Sequence, residues 1–237
     1  MCGRFAQYRI AYEYLDKIGA QLPLPLLGGA SPEPIGRYNV PPRSNVQLLH
    51  QDADGLRMDP VPWGYAPWWA HGKRPPAINA RVETAATSKF FRDVWGTGRA
   101  IVPADGWFEW KKDERNPKIK QPYFITLRSC EPMFFAAIGQ FQRGGMLEQR
   151  DGDGFAIITS SSDAGMLDIH DRRPLVLSGE CAAHWMDPEL LPAEAEELAL
   201  EHGLGVEEFE WYPVGREIGN VRNEGARLIA PISDPLL

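Results

Sequence analysis

Apolar residues recur at helical spacing in three stretches of the chain. In RIAYEYLDKIGA (9–20), Ile10, Tyr14 and Ile18 stand four apart with Ala11 and Leu15 beside them, and Gly19 follows, which predicts an amphipathic helix closed by the glycine. TSKFFRDVW (87–95) predicts a second helix, capped by Thr87 or Ser88, with Phe90, Phe91, Val94 and Trp95 turned inward. PAEAEELALEHG (192–203) predicts a third, with proline in its first turn and glycine at its end. The remaining pattern is that of strands. NVQLLHQ, RAIVPADGWFEWK, PYFITLR, MFFAAIGQF, GFAIITS and RPLVLSG are short β-branched and aromatic runs separated by Gly, Pro and Asp turns. They do not alternate regularly with helices, so a βαβ parallel sheet is disfavoured. The expected fold is α+β: a largely antiparallel, barrel-like sheet core with flanking helices, forming a single domain over 1–237. Twenty-one prolines, as in VPPR, KRPPAIN and PVPWGYAPWW, predict long ordered loops over the sheet, where functional groups tend to sit.

Composition bounds this picture without redirecting it. With 237 residues, 43% hydrophobic and 24% charged, the chain is long enough to bury a full core. Its three cysteines, Cys2, Cys130 and Cys181, are far apart and odd in number, which supports neither a disulfide framework nor a CxxC zinc site. Residues 1–20 contain Arg4, Arg9, Asp16 and Lys17 without a continuous apolar run, and no stretch reaches membrane-spanning length. The expectation is a soluble, cytoplasmic protein in a reducing compartment, with no membrane partner.

Charge changes the picture more. A net charge of -7 argues at first against a polyanionic partner. However, residues 187–210 hold nine acidic side chains and no Lys or Arg, and setting those nine aside leaves the remainder at +2. The acidic run reads as a solvated helix face, which leaves room for a basic groove elsewhere.

Four positions could carry chemistry, and each also has a plain structural reading. Cys2 follows the initiator methionine and is small enough for that methionine to be removed, which would expose an amine and a thiol on one residue. With reference pKa values of ~8 and ~8.5, such a pair could capture an aldehyde twice, as an imine and then as a thiazolidine ring. Equally, Cys2 could be a small apolar residue starting a buried strand. In GWFEWK (106–111), strand alternation puts Phe108 and Trp110 on one face and Trp107 and Glu109 on the other. Glu109 is then either a solvated carboxylate or a desolvated one with a raised pKa suited to proton transfer. His170 in IHDRRP (169–174) is either a loop histidine or a proton shuttle, with Arg172 available to an anion. Asn79 in INARVET (78–84), beside Arg81, is either part of a turn and helix cap or a neutral group able to donate and accept hydrogen bonds.

Taken together, MCGRF, YNVPP (38–42), PWGYAPWW (62–69), INARVET, RAIVPADGWFEW (99–110), TSSSDA (159–164), HDRRP (170–174) and VRNEGARLI (221–229) resemble the SRAP family, the SOS response-associated peptidases, in order and approximate spacing over essentially the whole chain. That family includes proteins of DNA damage repair that crosslink to abasic sites in single-stranded DNA. The resemblance implies that Cys2 is the N-terminal nucleophile, Asn79 the group that orients it, Glu109 the catalytic glutamate and His170 the histidine near the sugar. It implies that Arg4, Arg81 and Arg172 lie in a DNA-binding groove whose wall includes Asn39, Pro42 and Trp68. One departure stands out: the family usually reads HxRMP, and here Arg173 occupies the methionine position.

The resemblance further implies a monomer, nucleoid-associated if bacterial, that binds single-stranded DNA containing abasic sites and needs no metal or organic cofactor. It carries a peptidase label because a thiol beside acid-base groups can in principle cut a peptide bond, including the one before Cys2. Two other classes compete. An N-terminal-nucleophile amidohydrolase of the glutamine amidotransferase type can also begin Met-Cys-Gly, and would release ammonia from glutamine. A noncatalytic single-strand binder would keep every activity after Cys2→Ala.

Overall fold

The run predicted as one strand over 99–111 is two, broken at Asp105. In the computed structural model, which describes residues 2–19, 31–52, 55–141, 152–233 and 235, β6 (Arg99–Ala104) and β7 (Gly106–Lys112) belong to different sheets. Gly106 is required at the break, because a Cβ there would lie 2.1 Å from the Phe124 ring and 2.8 Å from the Ile125 carbonyl oxygen. Asp105 is buried and accepts from the Tyr8 backbone N–H at 2.6 Å, Arg9 Nε at 2.7 Å and the Tyr14 hydroxyl at 2.7 Å. One carboxylate thus ties the sheet crossover to the start of the first helix, α1 (Ala11–Lys17).

The first sheet has five strands in the order β13 (Phe209–Pro213), β8 (Lys120–Leu127), β7, β1 (Phe5–Gln7), β2 (Arg37–Val40), every neighbouring pair antiparallel. The second has eight, along the path β11 (Arg172–Pro174), β10 (Gly154–Ser161), β9 (Met133–Gln140), β6, β3 (Asn45–Asp52), β4 (Gly55–Pro62). Beside that path, β12 (Val176–Leu177) pairs with β9, and β5 (Asn79–Arg81) runs parallel to β10. The fold is mixed α/β with two largely antiparallel sheets and few helices. Among the described residues neither sheet closes on itself, so the barrel-like core expected from the sequence is not confirmed, and the described strands form two open sheets.

Strand alternation assigns each face. Phe5, Trp63, Val102, Trp107, Phe135, Phe155 and Phe209 form one apolar cluster between the sheets, and Cys2 lies in it. The opposite face of the second sheet, with Ile101, Phe134, Ile138 and Ile158, packs under α1, α4 (Gly179–Trp185) and α5 (Pro192–Glu201). The outer face of the first sheet, with Ala6, Phe108 and Phe124, is covered by Val214, Ile218 and Leu228 of the C-terminal segment. The amphipathic pattern therefore describes three apolar contacts rather than one core.

The predicted helix at 87–95 is reduced to α3 (Arg92–Trp95), preceded by α2 (Val82–Ala85). Ser88 Oγ accepts from the Phe90 backbone N–H at 3.2 Å, a local bond that competes with helix continuation. Phe90 and Phe91 instead pack against Tyr65 and Trp69 as a ring cluster. The helix predicted at 192–203 forms as α5, with Pro192 in its first turn and Glu194, Glu197 and Glu201 exposed, so the acidic run does form a solvated face. The helix predicted at 9–20 forms over Ala11–Lys17, and its last predicted residue, Ala20, lies outside the described residues. Among the described residues no helix is long and apolar enough to cross a membrane.

Candidate functional site

Backbone pairing brings the amino-terminal segment to β7. Phe5 opposes Trp107 and the Phe108 N–H donates to the Arg4 carbonyl, so the same register carries Gly3 opposite Glu109. Alternation along β7 points Glu109 between the sheets with Trp107, while Phe108 packs on the outer face, as the sequence predicts. Burial then pushes the Glu109 carboxyl up to about 7, against the opposing pull of the positively charged chain terminus.

Cys2 is fully buried, which differs from the partly ionised thiol expected of an exposed terminus. Burial, reinforced by the nearby Glu109 charge, raises its pKa far above the ordinary thiol range. The sulfur is thus held as a thiol, and any bond it forms needs an adjacent proton acceptor. Asn79, at the start of β5, donates from Nδ2 to the Cys2 carbonyl oxygen at 2.9 Å. Its Oδ1 is buried and has no hydrogen-bond partner among the described residues, leaving an acceptor beside Cys2.

His170 lies in the turn before β11, half-buried. The Arg172 backbone N–H donates to His170 Nδ1 at 3.0 Å, which assigns the ring proton to Nε2. Asp171 Oδ1 is 2.9 Å from the same Nδ1, a contact that becomes an ion pair only on protonation. Burial, helped by the charge of the chain terminus, lowers the His170 pKa and keeps the ring neutral near pH 7. A buried thiol, a carboxyl that titrates near neutrality, a neutral imidazole donor and an amide acceptor therefore share one site: a set suited to nucleophilic addition with proton transfer.

The residues expected in the groove divide into engaged and exposed groups. Arg4 Nη1 donates to Asn39 Oδ1 at 2.6 Å and to the Ile218 carbonyl at 2.9 Å. Asn39 in turn donates to the carbonyls of Asn220 and Asn223, both at 2.9 Å, so this pair fastens the C-terminal segment to the sheet. Arg172 is forked by Glu83, Nη1 to Oε1 at 2.5 Å and Nη2 to Oε2 at 3.0 Å, and Nη2 also donates to the Thr159 carbonyl. By contrast, Arg81 is exposed, Pro42 sits half-buried in a turn, and Trp68 presents 85% of its surface to solvent. Arg173 is buried, with its guanidinium over the Phe209 ring at 5.4 Å, an intersheet position rather than a groove position. Among the described residues no three His, Cys, Asp or Glu side chains converge as a metal site requires.

Sequence reasoning missed Glu83 and Asp105. Asp105-Gly106 is a turn dipeptide inside the long apolar run, and that signal marks the break. Glu83 carries no such signal, since only the fold brings it to Arg172. The Asn39 network yields a first prediction: Asn39→Ala removes the three partly buried hydrogen bonds of a buried side chain and leaves Arg4 without its carboxamide acceptor, and is expected to destabilise the protein by about 3 kcal/mol. Urea denaturation measures it, and a loss under about 0.5 kcal/mol would contradict the network's role.

Residues 1–221 match the family described as SOS response associated peptidase (SRAP). The chain is 49% identical over 235 residues to abasic site processing protein YedK of Escherichia coli, covering 98% of this chain and all of that protein. It is 30% identical over 231 residues to abasic site processing protein YoqW of Bacillus subtilis, covering 97% and 99% of the two chains. Among solved structures, a phage-related protein of Bordetella bronchiseptica superposes with a TM-score of 0.76 at 37% identity, over 90% of this chain and 94% of that one. The chain belongs to the SOS response associated peptidase (SRAP) family.

Proposed function

We propose that this protein processes abasic sites by binding single-stranded DNA and joining the exposed sugar to Cys2 as a thiazolidine, after Met1 is removed. The observation that carries the reading is the meeting of Cys2 with Asn79 at its carbonyl and with a Glu109 carboxyl that titrates at about 7. The names of the relatives, abasic site processing proteins, support the substrate class.

In this mechanism the closed abasic sugar opens first. Glu109 takes the anomeric hydroxyl proton while a proton is returned to the ring oxygen, giving the aldehyde. The Cys2 amine, held by Asn79 Oδ1, adds to the carbonyl carbon as one nitrogen proton passes to the carbonyl oxygen; the resulting hydroxyl leaves as water with a proton from His170 Nε2, which takes back the second nitrogen proton as the neutral imine forms. The Cys2 sulfur then attacks the imine carbon, and Glu109 relays the thiol proton to the imine nitrogen. Aldehyde and aminothiol become thiazolidine and one water, with no change in oxidation state. The raised thiol pKa fits this order, in which nitrogen attacks first and sulfur gives up its proton only at closure. The same thiol beside the same acid-base groups is chemically suited to cleaving the bond before Cys2.

Denaturing electrophoresis after incubation with an oligonucleotide bearing one abasic site tests the reading. A heat-stable slower band is expected, and its absence with correctly processed protein would refute it.

DNA phosphates meet Arg81 directly, whereas Arg172 is already forked by Glu83. Glu83→Gln removes a competing carboxylate and is therefore expected to tighten binding of undamaged single-stranded DNA severalfold at low salt. Fluorescence anisotropy across a salt series measures this; weaker binding at every salt concentration would mean that Glu83 positions Arg172 for phosphate instead of occupying it. Because the Arg172 partner holds the Glu83 pKa below its ordinary value, the ion pair is present at neutral pH and its contribution is lost as pH falls through that lowered value.

A further inference from the structure

A groove lies beside, not within, the site above. It encloses about 880 Å³ between the turn at Pro42–Ser44 and the segment 71–76, with Gly152 and Asp153 on its far side. Arg43, His71, Lys73 and Arg74 line it and all four are exposed, with Asp153 the one acidic lining residue. In a chain of net charge -7, three permanent cations on one concave surface are a local reversal of sign.

Two features make this a built surface. Arg43 sits at φ 65°, a left-handed conformation that costs a residue with a Cβ, and it is held there by its backbone N–H donating to the Trp63 carbonyl at 2.9 Å. The opposite wall is an excursion whose ends are pinned where Tyr65 and Ala77 exchange both backbone hydrogen bonds, at 3.0 and 2.8 Å. That one excursion carries the exposed Trp68 together with Lys73 and Arg74, and Pro75 and Pro76 stiffen it. Trp63 joins the groove to the site: its carbonyl holds Arg43, and its indole N–H donates to the carbonyl of Ile78, the residue before Asn79, at 2.8 Å.

We propose that this groove binds backbone phosphates of the DNA strand flanking the lesion, extending the footprint beyond the nucleotide at Cys2. The proposal rests on the single-strand-binding reading above. Continuity decides the ligand class. Arg43 adjoins Pro42, and Lys73 and Arg74 share a loop with the exposed Trp68, an arrangement of charge beside stacking surface that suits a nucleic-acid strand better than an acidic peptide.

The test compares oligonucleotides carrying one abasic site with short and with long flanks on either side, using wild type and the variant Arg43→Gly/Lys73→Ser/Arg74→Ser. Arg43→Gly relieves the positive φ, and the other two positions are exposed, so folding is expected to survive and is checked by thermal melting. Wild type should bind the long strand more tightly than the short one. The variant should lose about tenfold or more of that gain, and its slope of log affinity against log salt for the long strand should be shallower by about 2, for three lost contacts to single-stranded DNA. An unchanged long-to-short ratio and slope in the variant would overturn the groove assignment while leaving the crosslinking chemistry intact. Tight binding of an oligo-glutamate peptide with no dependence on strand length would assign the groove to an acidic protein segment and overturn it too. Failure of wild type to bind or crosslink either strand would instead refute the underlying reading, and the groove proposal with it.

Discussion

Protein carrying an uncleavable extension before Cys2 is expected to form no heat-stable adduct with abasic single-stranded DNA, while the processed protein forms one. A thiazolidine needs amine and thiol on the same residue, and an extension converts that amine into an amide with no basic lone pair. The thiol alone cannot supply the bond, because burial holds it protonated. Cys2→Ser after processing separates the two atoms: an imine or a weaker oxygen-closed ring still forms, and heating should destroy it. DNA affinity should survive both changes, since the exposed Arg81 and Trp68 lie outside the terminus. A blocked terminus that still gave the same stable adduct would require another nucleophile.

Glu109→Gln is expected to slow crosslinking by about 10² to 10⁴-fold with DNA affinity retained, the range for one general acid-base group. The amide keeps the shape of the side chain and loses the transferable proton. Wild type should show a bend in its pH–rate profile near the Glu109 value of about 7, and the variant should lack it. The same group makes a second, independent prediction about stability. Its folded pKa is raised, so the native state binds the proton more tightly than the unfolded chain, and its contribution declines as pH rises from about 4.5 to about 7. Glu109→Gln should therefore gain stability relative to wild type at pH 8 compared with pH 4, by up to about 3 kcal/mol. A variant that is both slower and more stable at pH 8 identifies a desolvated carboxyl kept for chemistry. Normal crosslinking rates would return Glu109 to a structural role.

How far the sequence foretold this site depends on how local each feature is. Alternation in GWFEWK gave the face of Glu109 correctly, because side-chain direction in a strand is fixed by neighbouring residues alone. The proline start of α5 was legible for the same reason. The failures are tertiary. Asp105 divides a continuous apolar run between two sheets only because Tyr8, Arg9 and Tyr14 converge on it from a distant segment. The helix expected at 87–95 yields to a cluster of aromatic rings drawn from two segments. A barrel-like core was expected because short strands follow one another without regular interleaving by helices, yet closure depends on edge pairing, which no single strand encodes. In the site itself, residue types suggested the chemistry, while burial of Cys2 and the forking of Arg172 by Glu83 became visible only once the chain was folded.

The central claim is that Cys2 contributes both nitrogen and sulfur to one bond-forming site, and intact mass spectrometry of protein incubated with a defined abasic oligonucleotide tests it most directly. The account predicts one heated, denaturation-resistant species whose mass equals the chain lacking Met1, plus the oligonucleotide, minus one water. An adduct that retains the Met1 mass, or one that maps after proteolysis to a peptide without Cys2, would contradict it.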